Sequence, residues 1–99
     1  MSRQKCDPFN PLFTLGKVVA TPGALAALDQ YAINALTLLC RHQSGDWGDV
    51  PPEDWKENEV SVENGFRILS SYLVGADTRL WIITEADRSA TTLLLPEEY

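Results

Sequence analysis

Residues 66–95 read FRILSSYLVGADTRLWIITEADRSATTLLL, and this stretch decides the fold. From 66 to 74 the even-numbered residues form one side of a period-two pattern and the odd-numbered residues form the other, as in a strand that buries one face. Polar, turn-forming residues at 75–78 and 87–89 divide the stretch into three runs. The pattern therefore predicts a three-stranded antiparallel meander.

The chain ahead of the meander predicts one strand and about three short helices. Residues 13–20 are rich in strand-forming residues and lead into a Thr-Pro-Gly sequence, in which Thr21 can cap a helix and Pro22 can begin it. Apolar residues at helical spacing predict helices over about 24–31, 34–42 and 51–64. A short meander must cover an apolar face, so we expect an α+β domain whose helices pack on one face, with the first strand at the edge or centre of the sheet.

Length and composition favour a single core. The chain has 99 residues, of which 44% are hydrophobic and 22% charged, so we expect a flexible leader at 1–11 and one domain over 12–99. No apolar run approaches a membrane span and the first residues do not resemble a secretory signal, so the sequence predicts a cytoplasmic protein without membrane contact. Two cysteines are too few for a disulfide framework: we expect Cys40 in the core and Cys6 as an exposed thiol.

Negative charge is concentrated in one segment. Residues 46–63 carry seven carboxylates and one lysine, a net charge of −6 that equals the net charge of the whole chain. Such a segment repels phosphate, and no cluster of Lys and Arg compensates for it, so the composition disfavours nucleic-acid binding. The segment is either a solvated helix face or an acidic patch for a basic protein surface.

Two indoles lie within this acidic segment, at Trp47 and Trp55. Aromatic anchors surrounded by charge are typical of protein-binding surfaces, although a loop tryptophan can equally fold back over the core. The glycines of the GDWGD loop indicate unusual backbone angles there. The candidate binding residues are Asp46, Trp47, Asp49, Glu53, Asp54 and Trp55.

The single histidine, His42, falls at the predicted end of the second helix. The negative end of the helix dipole favours the protonated imidazole, so we expect a raised pKa and a capping role. Asp46 and Asp49 nearby are too few for a zinc site. The sequence therefore predicts no metal and no cofactor.

Polar residues also end the middle strand of the meander. Thr84 shares a side with Leu80 and Ile82, whereas Glu85 shares a side with Trp81 and Ile83. A buried threonine or a cross-strand threonine pair is the ordinary interpretation of Thr84. Trp81, in mid-strand, is predicted to belong to the core.

An enzymatic alternative comes from the order of the elements. Helices followed by an antiparallel sheet are similar to small ribonucleases of the barnase and RelE type, although no catalytic motif is shared. In such an enzyme Glu85 and His42 would act as general base and acid, with Arg67 or Arg88 stabilising the developing negative charge. A third alternative is a structural homodimer formed on an exposed edge of the meander.

Five stretches of the chain carry a resemblance to known sequences: LFTLG at 12–16, TPGAL at 21–25, RHQSGDWGD at 41–49, TEADRS at 84–89 and LLPEEY at 94–99. They resemble a family of small bacterial proteins carried on plasmids and integrative elements and usually labelled "plasmid-related protein". The resemblance covers about residues 12–99, and some members carry a restriction–modification subunit label. The resemblance implies an accessory protein of a mobile genetic element.

Together, the acidic segment and the lack of a catalytic signature predict a small acidic protein that acts by binding another protein. One specific form is a nucleic-acid mimic, in which carboxylates occupy the basic groove of a host defence or nucleic-acid-processing protein.

Overall fold

A computed structural model describes residues 11–99 and confirms the α+β class. Most of the predicted leader, including Cys6, lies outside the described residues. The elements in chain order are β1 (Lys17–Ala20), α1 (Pro22–Gln30), α2 (Ala35–Gln43), α3 (Pro52–Asn64), β2 (Ile68–Leu73), β3 (Arg79–Thr84), β4 (Ala90–Leu94) and a 3₁₀ turn, Pro96–Glu98.

The four strands form one mixed sheet in the order β1-β4-β3-β2. β2, β3 and β4 are the predicted antiparallel meander, and β1 lies at the edge, parallel to β4, with Lys17 opposite Ala90 and Ala20 opposite Leu93. β1 is shorter than predicted, because Gly16 has a φ of +65° and turns the chain before it. A Cβ at Gly16 would overlap the carbonyl oxygens of Arg88 and Ser89, so the close approach requires glycine.

The main core lies between one face of the sheet and the first two helices. Tyr72, Ile82 and Leu93 point from the sheet into this core, where they meet Leu28 of α1 and Leu38 of α2. All three even-numbered residues of β2 are buried, whereas among the odd-numbered ones Leu69 is half-buried and Leu73 is exposed, so the even-numbered side faces the main core.

The opposite face of the sheet carries Trp81. The indole is half-buried and its ring contacts Tyr99, with the ring centroids 5.8 Å apart. The prediction that Trp81 belongs to the core is wrong, because the helices cover the other face.

α3 packs against the outer edge of β2. The Asn58 side chain donates to the Leu69 carbonyl and accepts from the Leu69 N–H, and Gly48 forms a β-bridge with Ser71. α3 ends at Asn64 and is capped by Gly65, whose φ of +73° lies in the left-handed region that favours glycine.

The helix starts follow their capping residues. The Thr21 side chain accepts a hydrogen bond from the Ala24 N–H, with Pro22 in the first position of α1. The Asn34 side chain accepts from the Leu36 N–H at the start of α2. No single helix within residues 11–99 is long and apolar enough to cross a membrane; α1 and α2 meet that test only as a pair bent by 109° at the break between them.

Candidate functional site

His42 lies on the inner side of α2, where it is fully buried against the sheet. Its Nδ1 is 2.6 Å from the Ser70 hydroxyl and its Nε2 is 2.9 Å from the Thr84 hydroxyl. Thr84 is in turn 2.8 Å from the hydroxyl of Thr91, its partner on β4. The cross-strand threonine pair predicted for Thr84 is therefore present, and it holds the imidazole.

The direction of the successive hydrogen bonds fixes the tautomer of His42. Thr91 donates its hydroxyl proton to the Leu15 carbonyl over 2.8 Å, so it can only accept from Thr84. Thr84 then has no proton left and must accept from Nε2–H of His42, which leaves Nδ1 to accept from Ser70. The arrangement satisfies both nitrogens of a neutral imidazole.

Burial is the larger cause, and the positive charge of Arg88 the smaller one, of a pKa of His42 that is lowered to about 3. The prediction of a raised pKa is wrong, although His42 does lie in the last turn of α2. The helix dipole favours a cation only where the charged form is solvated or paired, and the neighbours here are neutral hydroxyls and rings. Phe13 and Trp47 approach the imidazole edgewise, with centroid distances of 5.2 and 5.8 Å.

Trp47 is completely buried, with an exposed fraction of 0%. Its indole N–H donates to the Glu59 carboxylate on α3 over 3.0 Å, and its ring stacks on Phe13. The sequence allows either an exposed binding anchor or an indole that folds back over the core, and in the structure the indole folds back over the core. Trp47 is therefore not a solvent-facing anchor.

The two aspartates of the GDWGD loop form ion pairs within the chain. Asp46 lies 2.7 Å from the Arg41 guanidinium, and Asp49 lies 3.1 Å from that of Arg79. Asp46 also accepts from the Gly48 N–H, and its carbonyl accepts from the Tyr72 hydroxyl. These carboxylates position the loop, and their negative charge is balanced locally.

The arginines of the ribonuclease hypothesis are also engaged within the fold. Arg88 donates to the carbonyls of Phe66 over 2.7 Å and Ser61 over 2.9 Å, so it ties the end of α3 to the meander. Its guanidinium lies over the Phe13 ring, 5.5 Å from the centroid, and Arg67 donates to the Tyr99 hydroxyl.

These contacts decide what the four candidate catalytic residues can reach. His42 is sealed from solvent, Arg67 is exposed, and Glu85 and Arg88 are half-buried. The structure therefore does not bring His42, Arg67, Glu85 and Arg88 together around one open cleft.

The remaining candidates lie on α3, which carries five carboxylates and one lysine. Within residues 11–99 no ion pair reaches Glu53, Asp54 or Glu57, and all three are exposed. Trp55 is 36% exposed and Val60 is 51% exposed on the same helix. We name these five residues the α3 surface.

A groove of about 240 Å³ runs beside the α3 surface, between α3 and β2. It is lined by Asp54, Glu57, Asn58, Ser61, Arg67 and Leu69. Ser61 is 6% exposed, and within the described part of the chain its hydroxyl has no hydrogen-bond partner.

The arginines that neutralise Asp46 and Asp49 leave no local signal in the sequence, because Arg41 lies in α2 and Arg79 lies in β3. The prediction that Cys40 belongs to the core holds only in part, because its side chain is half-buried. The partners of His42 did leave a signal, since the period-two pattern places Ser70 and Thr84 on core-facing sides of their strands.

Comparisons with protein-family models, with curated proteins and with solved structures find no match to this chain. Within residues 11–99 no group of three or more His, Cys, Asp or Glu side chains is arranged to hold a metal ion.

Proposed function

We propose that this chain is an accessory protein of a mobile genetic element that acts by binding a basic surface of another protein through the α3 surface. The observation that carries the proposal is the contrast between two sets of acids. Asp46 and Asp49 are paired with arginines, whereas Glu53, Asp54 and Glu57 are exposed on one helix without a basic partner in the described chain.

Uncompensated carboxylates on one helix create a local negative potential. Such a potential attracts a positively charged partner and raises the rate of association, and salt screens it. Lys56 is the only basic residue of α3, so the helix retains a net negative charge.

Apolar area beside the carboxylates supports protein binding over simple solubility. Trp55 and Val60 are large apolar side chains that remain accessible on a helix that is otherwise polar. A tryptophan with charged neighbours is a common hot spot of interfaces, because it removes a large apolar area from water on binding. Leu69 is an apolar side chain in the groove beside α3.

The test compares two triple variants with the same change in net charge. Glu53→Gln/Asp54→Asn/Glu57→Gln removes the three carboxylates of the α3 surface. Asp29→Asn/Asp77→Asn/Glu97→Gln removes three exposed carboxylates elsewhere on the molecule. A partner captured from a bacterial lysate by the wild-type chain is identified and purified, and its dissociation constant is measured for each variant at low and high salt.

We expect the α3 variant to bind the partner about tenfold more weakly or worse at low salt, and the control variant to bind like the wild type. Trp55→Ala weakens binding at both salt concentrations, because its contribution is apolar. Equal losses in the two triple variants, or no capture of any partner, contradict the proposal. If the partner is a nucleic-acid-binding protein, competition by duplex DNA tests whether the carboxylates occupy its DNA groove.

A further inference from the structure

The two edge strands of the sheet, β2 and β1, differ in whether their outward backbone groups are hydrogen-bonded. On the β2 edge, the Leu69 N–H and C=O are bonded to the Asn58 side chain. The Ser71 N–H and C=O on the same edge are bonded to the Trp47 carbonyl and the Asp49 N–H. The outward backbone groups of β2 are therefore bonded to the Asn58 side chain and to the loop at Trp47 and Asp49. Covering an edge strand in this way prevents its pairing with another chain. The homodimer hypothesis, which uses an exposed edge of the meander, does not fit the β2 edge.

The β1 edge has no such cover within residues 11–99. The Lys17 N–H donates to the Ser89 carbonyl and the Thr21 N–H donates to the Leu93 carbonyl, so the odd-numbered residues of β1 bond to β4. Because strand hydrogen bonding alternates, the N–H and C=O groups of Val18 and Ala20 point away from the sheet. Val18 and Val19 are 44% and 41% exposed along this edge.

We propose that the β1 edge pairs with β1 of a second copy of this chain, antiparallel, about a two-fold axis at Val19. In this register Val18 of each copy lies opposite Ala20 of the other, and their outward N–H and C=O groups form about four hydrogen bonds. The two strands join the two sheets into one continuous sheet across the axis.

The side chains that this register brings together are complementary. Val19 faces Val19 of the second copy as a closely spaced pair that is not hydrogen-bonded, so the two exposed side chains cover each other. Lys17 lies opposite Thr21 of the second copy, and Thr21 donates its hydroxyl proton to the Glu98 carboxylate. Lys17 and Glu98 have no ion-pair partner within the described residues, so each copy offers a cation to the other's anion.

The distribution of charge also favours this edge. α3 lies against β2, at the opposite end of the sheet from β1. A dimer formed through β1 therefore places the two acidic helices far apart, where salt screens their repulsion, whereas a dimer through the β2 edge would bring them together.

The experiment is sedimentation of the full chain over a wide range of concentration, with three variants. Val18→Pro removes an N–H that makes no bond to β4, so it blocks the edge without breaking the ladder. Val18→Thr is its matched control, since it keeps the N–H and the β-branched shape. Lys17→Glu places a negative charge beside Glu98 of the second copy, where the wild type has a positive charge.

We expect the wild type and Val18→Thr to reach twice the chain mass with rising concentration. Val18→Pro raises the dissociation constant about 10- to 100-fold through the two lost hydrogen bonds, and Lys17→Glu raises it about threefold to tenfold. A wild type that remains monomeric at the highest concentration, or a folded Val18→Pro variant that dimerises like the wild type, overturns the proposal.

Amide exchange on the wild type keeps the test decisive if Val18→Pro does not fold. Protection of the Val18 and Ala20 amides that rises with protein concentration supports pairing between copies. Fast exchange overturns it. Protection at concentrations where sedimentation shows only the monomer also overturns it, because a segment of the same chain then covers the edge.

Discussion

At the residue scale, His42 shows how burial overrides the helix dipole. The imidazole lies at the end of α2, where partial negative charge favours a cation. It is nevertheless surrounded by hydroxyls and aromatic rings that solvate a charge poorly, with Arg88 near enough to oppose protonation. The neutral ring is therefore a structural connector between α2, β2 and β3.

This neutrality predicts a loss of stability in mild acid. The pKa of His42 is about 3 in the folded chain and 6.5 when exposed, so between these values the unfolded chain binds more protons than the folded chain. The contribution of the neutral His42 to the free energy of unfolding is therefore fully present above pH 6.5. It falls as the pH drops toward 3, by up to about 1.4 kcal/mol per pH unit. Urea unfolding at pH 7 and pH 5 measures this fall.

The comparison for that measurement is His42→Gln, which cannot take up a proton. The variant is less stable than the wild type at pH 7, by about 1–3 kcal/mol, because the Ser70 and Thr84 hydroxyls lose well-placed partners. Its free energy of unfolding changes less between pH 7 and pH 5 than that of the wild type. An identical pH dependence in the two proteins would show that His42 is not the group responsible.

At the scale of elements, local pattern was informative and long-range pairing was not. The alternation in residues 66–95 and the caps at Thr21 and Gly65 are local signals, because each depends on neighbours in the chain. The parallel pairing of β1 with β4 joins segments about 70 residues apart, and periodicity carries no information about it. The burial of Trp47 also depended on a distant partner, Glu59, and the sequence left it open.

The hydrogen bonds of Asn58 let us predict how much the covered β2 edge contributes to the free energy of unfolding. Its amide replaces a neighbouring strand by bonding both backbone groups of Leu69, and it is buried. Asn58→Ala leaves these groups without their partners and costs about 1–3 kcal/mol, with faster exchange of the Leu69 amide. Asn64→Ala removes an exposed amide from the same helix and costs less than about 0.5 kcal/mol. Equal losses from the two substitutions would contradict the assigned role of Asn58.

The charges of α3 predict opposite effects at its two ends. Glu53 lies in the first turn, where the dipole favours an anion, and Glu63 lies in the last turn, which has no basic residue. Glu63→Lys therefore raises the free energy of unfolding by about 0.3–1 kcal/mol, whereas Glu53→Lys lowers it by a similar amount. The two variants have the same net charge, so thermal unfolding at low salt separates the dipole effect from general charge repulsion. Stabilisation by both substitutions would mean that repulsion among the acids dominates.

At the scale of the whole molecule, two apolar clusters are joined into one core. The first contains Leu28, Leu38 and Ile82, the second contains Phe13, Trp47 and Ile68, and Leu15 packs against both. The hydrogen-bonded chain from Ser70 through His42 to Thr91 runs beside them and ends on the Leu15 carbonyl. Neither cluster can open without breaking contacts of the other.

This coupling predicts a single cooperative unfolding transition. Small domains whose clusters share contacts usually unfold as one unit. Fluorescence of Trp47 reports on the second cluster, and far-ultraviolet circular dichroism reports on the helices of the first. With Trp55→Phe and Trp81→Phe in place, fluorescence comes from Trp47 alone. We expect its urea transition to coincide in midpoint and slope with that of the dichroism. A fluorescence transition at lower urea would mean that the second cluster opens separately, with α1 and α2 still folded on the sheet.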